Sequence, residues 1–146
     1  MLVILVLLNA LIFMVLSGIH FYWLMGGKWG LASSLPSNPS TQDFLFKPSI
    51  VATIVVAVGL LLFAIITLGN AMILPFRIDQ RYFRYGDMFI SIIFLMRAVG
   101  DFKYVGFFKR IRETSFAKMD SKFYAPLCLF ISTIGFLIFF LTTRPL

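Results

Sequence analysis

The fold is decided by the stretch Phe94-Leu-Met-Arg-Ala-Val-Gly-Asp-Phe-Lys-Tyr-Val-Gly-Phe-Phe108, which places two charged residues, Arg97 and Asp101, in apolar surroundings. A helix needs about 20 mostly apolar residues to cross the roughly 30 Å of hydrocarbon in a bilayer. The charge-free run 88–96 is too short for that. We therefore predict a membrane span over residues 87–107, with Arg97 near its middle.

Charges at that depth need a partner, because a lone charge at the bilayer centre costs about 3 kcal/mol on insertion scales. Arg97 and Asp101 are four residues apart, so on a helix they share a face and are expected to pair. Tyr104 lies on the same side and offers a hydroxyl. The alternative is a helix that ends near Met96 and is followed by an interfacial segment.

Composition excludes several classes of protein. Of the 146 residues, 60% are hydrophobic and only 13% are charged, which is typical of an integral membrane protein. The net charge of +7 favours contact with anionic lipid headgroups, and no nucleic-acid motif is visible. A single cysteine and a single histidine exclude an intramolecular disulfide, a two-histidine metal site and a bis-histidine haem within one chain. We expect no metal and no cofactor.

Hydrophobic runs elsewhere complete an all-α architecture, a single integral membrane bundle of four transmembrane helices. The predicted spans are about 2–24, 49–74, 87–107 and 123–141. The first is longer than the apolar part of a signal peptide and lacks a basic start, so we predict that it is retained. Asp120 and Ser121 are candidate N-caps of the last helix. Cys128 is expected to serve in packing.

Basic residues near the spans predict the orientation. Seven lie in the first and third loops, and four lie on the other side: Lys28, Lys47, Lys109, Arg110, Arg112, Lys118 and Lys122 against Arg77, Arg81, Arg84 and Arg144. We therefore expect loops 25–48 and 108–122 to be cytoplasmic and both termini to lie outside.

The same topology predicts a polar cavity near the first loop. His20 lies about one turn below that surface, and Arg97, Asp101 and Tyr104 approach it from the third span. Loop 25–48 is rich in Gly and Pro, and Trp29 is expected to anchor part of it on the bundle as a lid. The predicted ligand-binding residues are thus Arg97, Asp101, His20, Tyr104 and Trp29. The structural alternative is that Arg97 and Asp101 only fasten helices together.

Four blocks of the sequence resemble signatures of one family. They are His20-Phe-Tyr-Trp-Leu-Met-Gly-Gly-Lys-Trp-Gly30, Leu35-Pro36, Arg97-Ala-Val-Gly-Asp-Phe-Lys-Tyr-Val-Gly-Phe-Phe-Lys109 and Phe116-Ala-Lys-Met-Asp-Ser-Lys-Phe-Tyr-Ala-Pro-Leu-Cys128. The chain is similar, over nearly its whole length, to the small bacterial membrane proteins grouped as domain of unknown function 3995. This resemblance implies four membrane spans and implies no activity.

Three functions remain open from the residues alone. The first is a non-catalytic membrane protein that binds a lipid, a small amphiphile or a partner through the polar cavity. The second is a small, proton-coupled transporter, for which a homo-oligomer would be needed. The third is a lipid-modifying enzyme with His20 and Asp101 as an acid–base pair. We rank binding first, because no nucleophile–base or metal constellation is visible.

Overall fold

Long helices make up most of the chain in the computed structural model, which describes residues 1–41, 43–72 and 78–143. No strand occurs within those ranges, where an isolated bridge joins Ser37 to Phe44. The helices, in chain order, are α1 (Leu2–Leu24), α2 (Leu31–Ser34), α3 (Ile50–Gly69), α4 (Gln80–Val99), α5 (Ser115–Met119) and α6 (Ala125–Thr143), with a π-helical turn, Asp120–Tyr124, between the last two.

Three of these helical segments are long and apolar enough to cross a membrane: Leu2–Leu24, Ile50–Gly69 and Ser115–Thr143. They agree with the first, second and fourth predicted spans, although the fourth begins earlier than predicted. Residues 73 and 74 of the second predicted span, and Arg77 and Arg144 of the charge count, lie outside the described residues. The all-helical, membrane-type class expected from composition is confirmed.

The long helices form two tightly packed pairs. α1 packs mainly on α3, α4 packs mainly on α6, and fewer contacts join the pairs. At mid-height the pairs share one core of buried residues, namely Ala10, Phe13, Leu60, Ala64, Ile90 and Ile131. The Phe13 ring contacts the rings of Phe63 and Phe94, with centroids 5.9 Å and 5.4 Å away. This layer divides the bundle into a half near the first loop and a half near the N-terminus.

The third predicted span, 87–107, differs from the helix that forms. α4 begins at Gln80, where the Asp79 side chain accepts a hydrogen bond from the Arg81 N–H, and ends at Val99. Gly100 follows with φ 88°, a left-handed conformation that ends a helix readily only at glycine. Residues 100–107 are therefore loop, and Arg97 lies in the last turn of α4 instead of at the middle of a span.

The last long helix also starts differently from the prediction. The continuous helical segment Ser115–Thr143 begins with α5, whose N-cap is Thr114. The Thr114 hydroxyl accepts a hydrogen bond from the Ala117 N–H, so Asp120 and Ser121 do not cap the start of this segment. Asp120 instead opens the π-helical turn, in which the Ala125 N–H bonds to the Asp120 carbonyl. Pro126 comes directly after this bond. It has no N–H to give to the preceding turn, and the wider turn accommodates that loss.

Candidate functional site

The loop after α4 is folded tightly back on the helix end. The Phe107 N–H donates to the Ala98 carbonyl at 2.9 Å, and Gly100 and Gly106 are both left-handed, with φ 88° and 87°. A Cβ on Gly100 would collide with the Val105 carbonyl, and a Cβ on Gly106 would collide with the Val99 carbonyl. Glycine is therefore required at both positions for this close backbone approach.

Asp101 holds this loop together from its exposed side. Its Oδ1 accepts hydrogen bonds from the backbone N–H groups of Lys103, Tyr104 and Val105 at 2.9, 2.7 and 2.9 Å. Burial acts in the opposite direction, but these donors keep the pKa of Asp101 below its usual value. Asp101 is thus a loop cap, and the predicted Arg97–Asp101 pair does not form.

The partner of Arg97 is Asp120. The guanidinium Nη2 donates to Asp120 Oδ1 at 2.9 Å, while Oδ2 accepts from Lys109 Nζ at 2.9 Å and from the Gly106 N–H at 2.7 Å. Lys109 also donates to the Gly106 carbonyl at 2.9 Å. The Lys109 and Asp120 side chains are 1% and 0% exposed. One buried carboxylate therefore joins the end of α4, the loop and the π-helical turn.

The cluster of Arg97, Lys109 and Asp120 carries one positive charge in excess, since two cations share one carboxylate. Lys109 is enclosed and already hydrogen-bonded. Arg97 is 34% exposed at its side chain, yet its Nη1 is buried and has no hydrogen-bond partner among the described residues. A buried, unsatisfied donor is costly, and more so when it is charged. The excess charge therefore lies at Arg97.

Arg97 lines a large cleft between the two helix pairs. The cleft has a volume of about 990 Å³ and extends from the mid-height core to the first loop. Leu16, Leu60, Phe94 and Ile131 lie at its inner end. Its walls are mostly apolar, and the polar or charged side chains that line it are His20, Trp23, Trp29, Ser33, Ser34, Thr53, Arg97 and Tyr124, beside Cys128.

The first loop covers one side of this cleft. Ser34 Oγ lies 3.1 Å from the Tyr124 hydroxyl oxygen, which ties α2 to the π-helical turn. Trp23 Nε1 donates to the Trp29 carbonyl at 2.9 Å, but the Trp29 side chain itself is 75% exposed. The loop thus folds back on the bundle as expected, with Ser34 rather than a buried Trp29 side chain making the contact.

His20 lies in the cleft wall and is held by its own helix. Nδ1 is 2.7 Å from the Leu16 carbonyl oxygen, and the ring contacts Trp23 edge-on at 4.8 Å. A carbonyl only accepts hydrogen bonds, so Nδ1 is the donor in this contact.

The structure therefore brings three predicted site residues to one cleft and leaves two elsewhere. Arg97, His20 and Trp29 line it. Asp101 and Tyr104 belong to the loop behind the charged cluster, where Lys103 Nζ lies 5.2 Å from the centre of the Tyr104 ring. This arrangement gives His20 and Asp101 no shared cavity. Among the described residues there is also no group of His, Cys, Asp and Glu able to hold a metal ion.

Lys109 and Asp120 were missed as parts of the site. Local patterns place Lys109 in a basic loop and Asp120 at a helix start, and both are ordinary positions for those residues. The one signal was Pro126, because a proline just inside a predicted helix indicates an altered backbone in the preceding turn.

Comparisons with known proteins bear on the whole of this region. No curated protein and no solved structure matches the chain. One family model matches residues 13–134, which include the cleft's inner end, the loop after α4 and the charged cluster. The four sequence blocks that carry the resemblance lie within this match, and it covers well over half of the chain. The chain therefore belongs to the family described as Protein of unknown function (DUF3995).

Proposed function

We propose that the protein binds an anionic lipid, or a similar amphiphile, in the cleft between its two helix pairs. The observation that carries this proposal is the state of Arg97: a buried Nη1 without a partner, in a cluster with excess positive charge, at the wall of an apolar cleft. An anionic headgroup would satisfy this donor and the charge. Acyl chains would fill the apolar volume.

The length of α4 supports a fourth span in this proposal. α4 has 20 residues, as many as α3, and contacts both α3 and α6. Because α4 carries several charged side chains, it is less apolar than the three helical segments that could cross a membrane by composition. Of these charged residues, Asp87 is buried, and Arg84 and Arg97 lie towards the two ends of the helix. We further propose that the protein lies in a bacterial cytoplasmic membrane, with both termini outside and loops 25–48 and 108–122 cytoplasmic.

The experiment is native mass spectrometry of the full chain, released from nanodiscs that contain equal amounts of phosphatidylglycerol and phosphatidylcholine. Wild type is expected to retain phosphatidylglycerol. Arg97→Gln removes the free donor and the charge. A hydrogen bond to a charged group contributes about 1.5–3 kcal/mol, so we expect about tenfold or greater loss of retained anionic lipid. The matched control is Arg110→Gln, an exposed arginine on the same side of the bundle.

A second pair of variants tests the apolar part without changing any charge. Ala52 lines the cleft, whereas its neighbour Val51 is exposed and does not. Ala52→Trp should reduce retention of both lipids, and Val51→Trp should not. Equal retention by wild type and Arg97→Gln, together with no effect of Ala52→Trp, would contradict the proposal.

A further inference from the structure

A second buried acidic residue lies in the first half of α4, away from the cleft. The Asp87 side chain is 0% exposed. Its Oδ1 accepts a hydrogen bond from Thr67 Oγ1 at 2.8 Å, and its Oδ2 is buried and has no hydrogen-bond partner among the residues that the structure describes. This carboxyl group is outside the proposed lipid cleft and has no part in that function.

No counter-charge faces Asp87 among the residues that the structure describes. α3 presents Thr67 to the carboxyl, and α6 presents Gly135 beside the Asp87 backbone. On α4 itself, Arg84 lies one turn earlier. Its Nε is also buried without a hydrogen-bond partner, and no ion pair within 4.0 Å joins Arg84 to Asp87 among the described residues. A single hydroxyl donor does not compensate an ionised carboxylate in a dry interior, and such a group takes up a proton instead.

A second buried acceptor lies on α1. Asn9 is 1% exposed, and its Oδ1 is buried and without a partner in the described part of the chain. On α1 it lies between Val6, which packs on Ile134 and Ile138, and Phe13, which packs in the core with Ile90. Asp87 lies one turn before Ile90 on α4. Asp87 Oδ2 thus has no donor among the described residues, and a proton on Oδ2 would turn it from an unsatisfied charged acceptor into part of a neutral hydroxyl.

We propose that Asp87 is a proton-binding site, in which Oδ2 carries a proton within the packed bundle. Oδ1 is then the carbonyl oxygen that accepts the hydrogen bond from Thr67. A sodium ion would need more oxygen ligands than Asp87 and Thr67 provide. Loss of the proton would place a bare charge among α3, α4 and α6. Proton release is therefore coupled to opening of this layer to water.

The test is infrared spectroscopy of the full chain in lipid nanodiscs. At neutral pH the wild type should show the carbonyl stretch of a protonated carboxyl group, shifted by exchange into heavy water and absent from Asp87→Asn. Absence of this band from the wild type, or its persistence in Asp87→Asn, would overturn the proposal. Its loss when sodium chloride replaces choline chloride would overturn it as well, because the occupant would then be a metal cation.

Thr67→Val keeps the carboxyl group and remains informative if Asp87→Asn does not fold. Removing the hydroxyl donor from Oδ1 should move the band to higher wavenumber. The matched control is Thr133→Val, since the Thr133 hydroxyl donates only to the Leu129 carbonyl of its own helix at 2.8 Å. An identical band position in wild type and Thr67→Val would show that the protonated group is not Asp87.

Discussion

Two buried acidic side chains, Asp120 beside the C-terminal end of α4 and Asp87 in its first half, have opposite surroundings. Near the loop, Asp120 accepts hydrogen bonds from two cations and a backbone N–H. The two positive charges exceed its single negative charge, and the excess lies at Arg97. In the first half of α4, Asp87 meets one hydroxyl and no cation among the described residues. The same chemical group is thus a structural anchor in one layer and a candidate proton site in the other. Its neighbours decide which.

The largest expected effect comes from removing the anchor. Asp120→Asn leaves Lys109 and Arg97 without their counter-charge, and breaking a buried pair in this way typically costs about 3–5 kcal/mol. The free energy of unfolding in detergent, or the melting temperature, should fall accordingly. Glu113→Gln, at an exposed acidic residue of the loop before α5, is the control and should change little.

Lys109→Met makes that comparison sharper. It removes a buried cation but keeps the Arg97–Asp120 pair, so the remaining cluster is neutral, and it should cost less than Asp120→Asn. A larger loss for Lys109→Met would show that the lysine, and not the carboxylate, is the anchor.

A smaller loss of stability is expected when Gly106, whose N–H donates to Asp120, is replaced by alanine. In Gly106→Ala the left-handed conformation costs about 1–3 kcal/mol, and the methyl group also meets the Val99 carbonyl. The control is Gly59→Ala on α3, where a Cβ would meet no atom within 4 Å. That change should be neutral or stabilising, because alanine favours helix. Equal melting temperatures for the two variants would mean that the loop does not need its tight contact.

Thr67→Val tests the Asp87 end, where the interaction is a single hydrogen bond. Leaving one buried acceptor without its donor should cost about 1–3 kcal/mol, measured as a change in the free energy of unfolding. Thr133→Val is again the control. A cost as large as that of Asp120→Asn would indicate that Asp87 is ionised in the bundle, in contradiction to the proton site.

The smallest effect concerns pH and the exposed Asp101. Because the pKa of this carboxyl is lowered in the folded protein, its contribution to stability is present above the pKa of the unfolded chain and is lost as the pH falls through the folded value. Asp101→Asn should therefore flatten the acid side of the stability curve slightly. An acid side of the curve that is identical in wild type and Asp101→Asn would contradict this prediction.

Much of the fold follows from hydrophobic length alone, whereas the site does not. α1 and α3 begin within a residue of where their apolar runs predict. The predicted bounds of the third span were wrong because Phe102, Tyr104 and Val105 continue an apolar pattern past Gly100, where the helix has already ended. Composition alone does not distinguish a lipid-facing helix from a loop docked on a helix end. Gly100 followed by Asp101 is the signal of a helix stop and a capped turn, and it was outweighed by that pattern.

The pairing of Arg97 could not be predicted from local sequence. The i, i+4 rule gave Asp101, but the helix had already ended, and the true partner is 23 residues further along the chain. Such a contact depends on how α4 and α6 pack and on the backbone of the π-helical turn. The cleft is likewise a property of the spacing between the helix pairs, and a local sequence pattern does not contain that spacing.

The π-helical turn also sets the rotation of α5 relative to α6 about their common helix axis. A residue added to a helix rotates everything beyond it by about 100°. Asp120 faces Arg97 and Lys109 only because residues 120–124 hold one residue more than an α-helical turn would. Deleting Ser121 would leave α6 in its groove on α4 and turn α5 and Asp120 about a quarter of a circle away. The cluster would then be lost by a change of register, with no charged side chain removed.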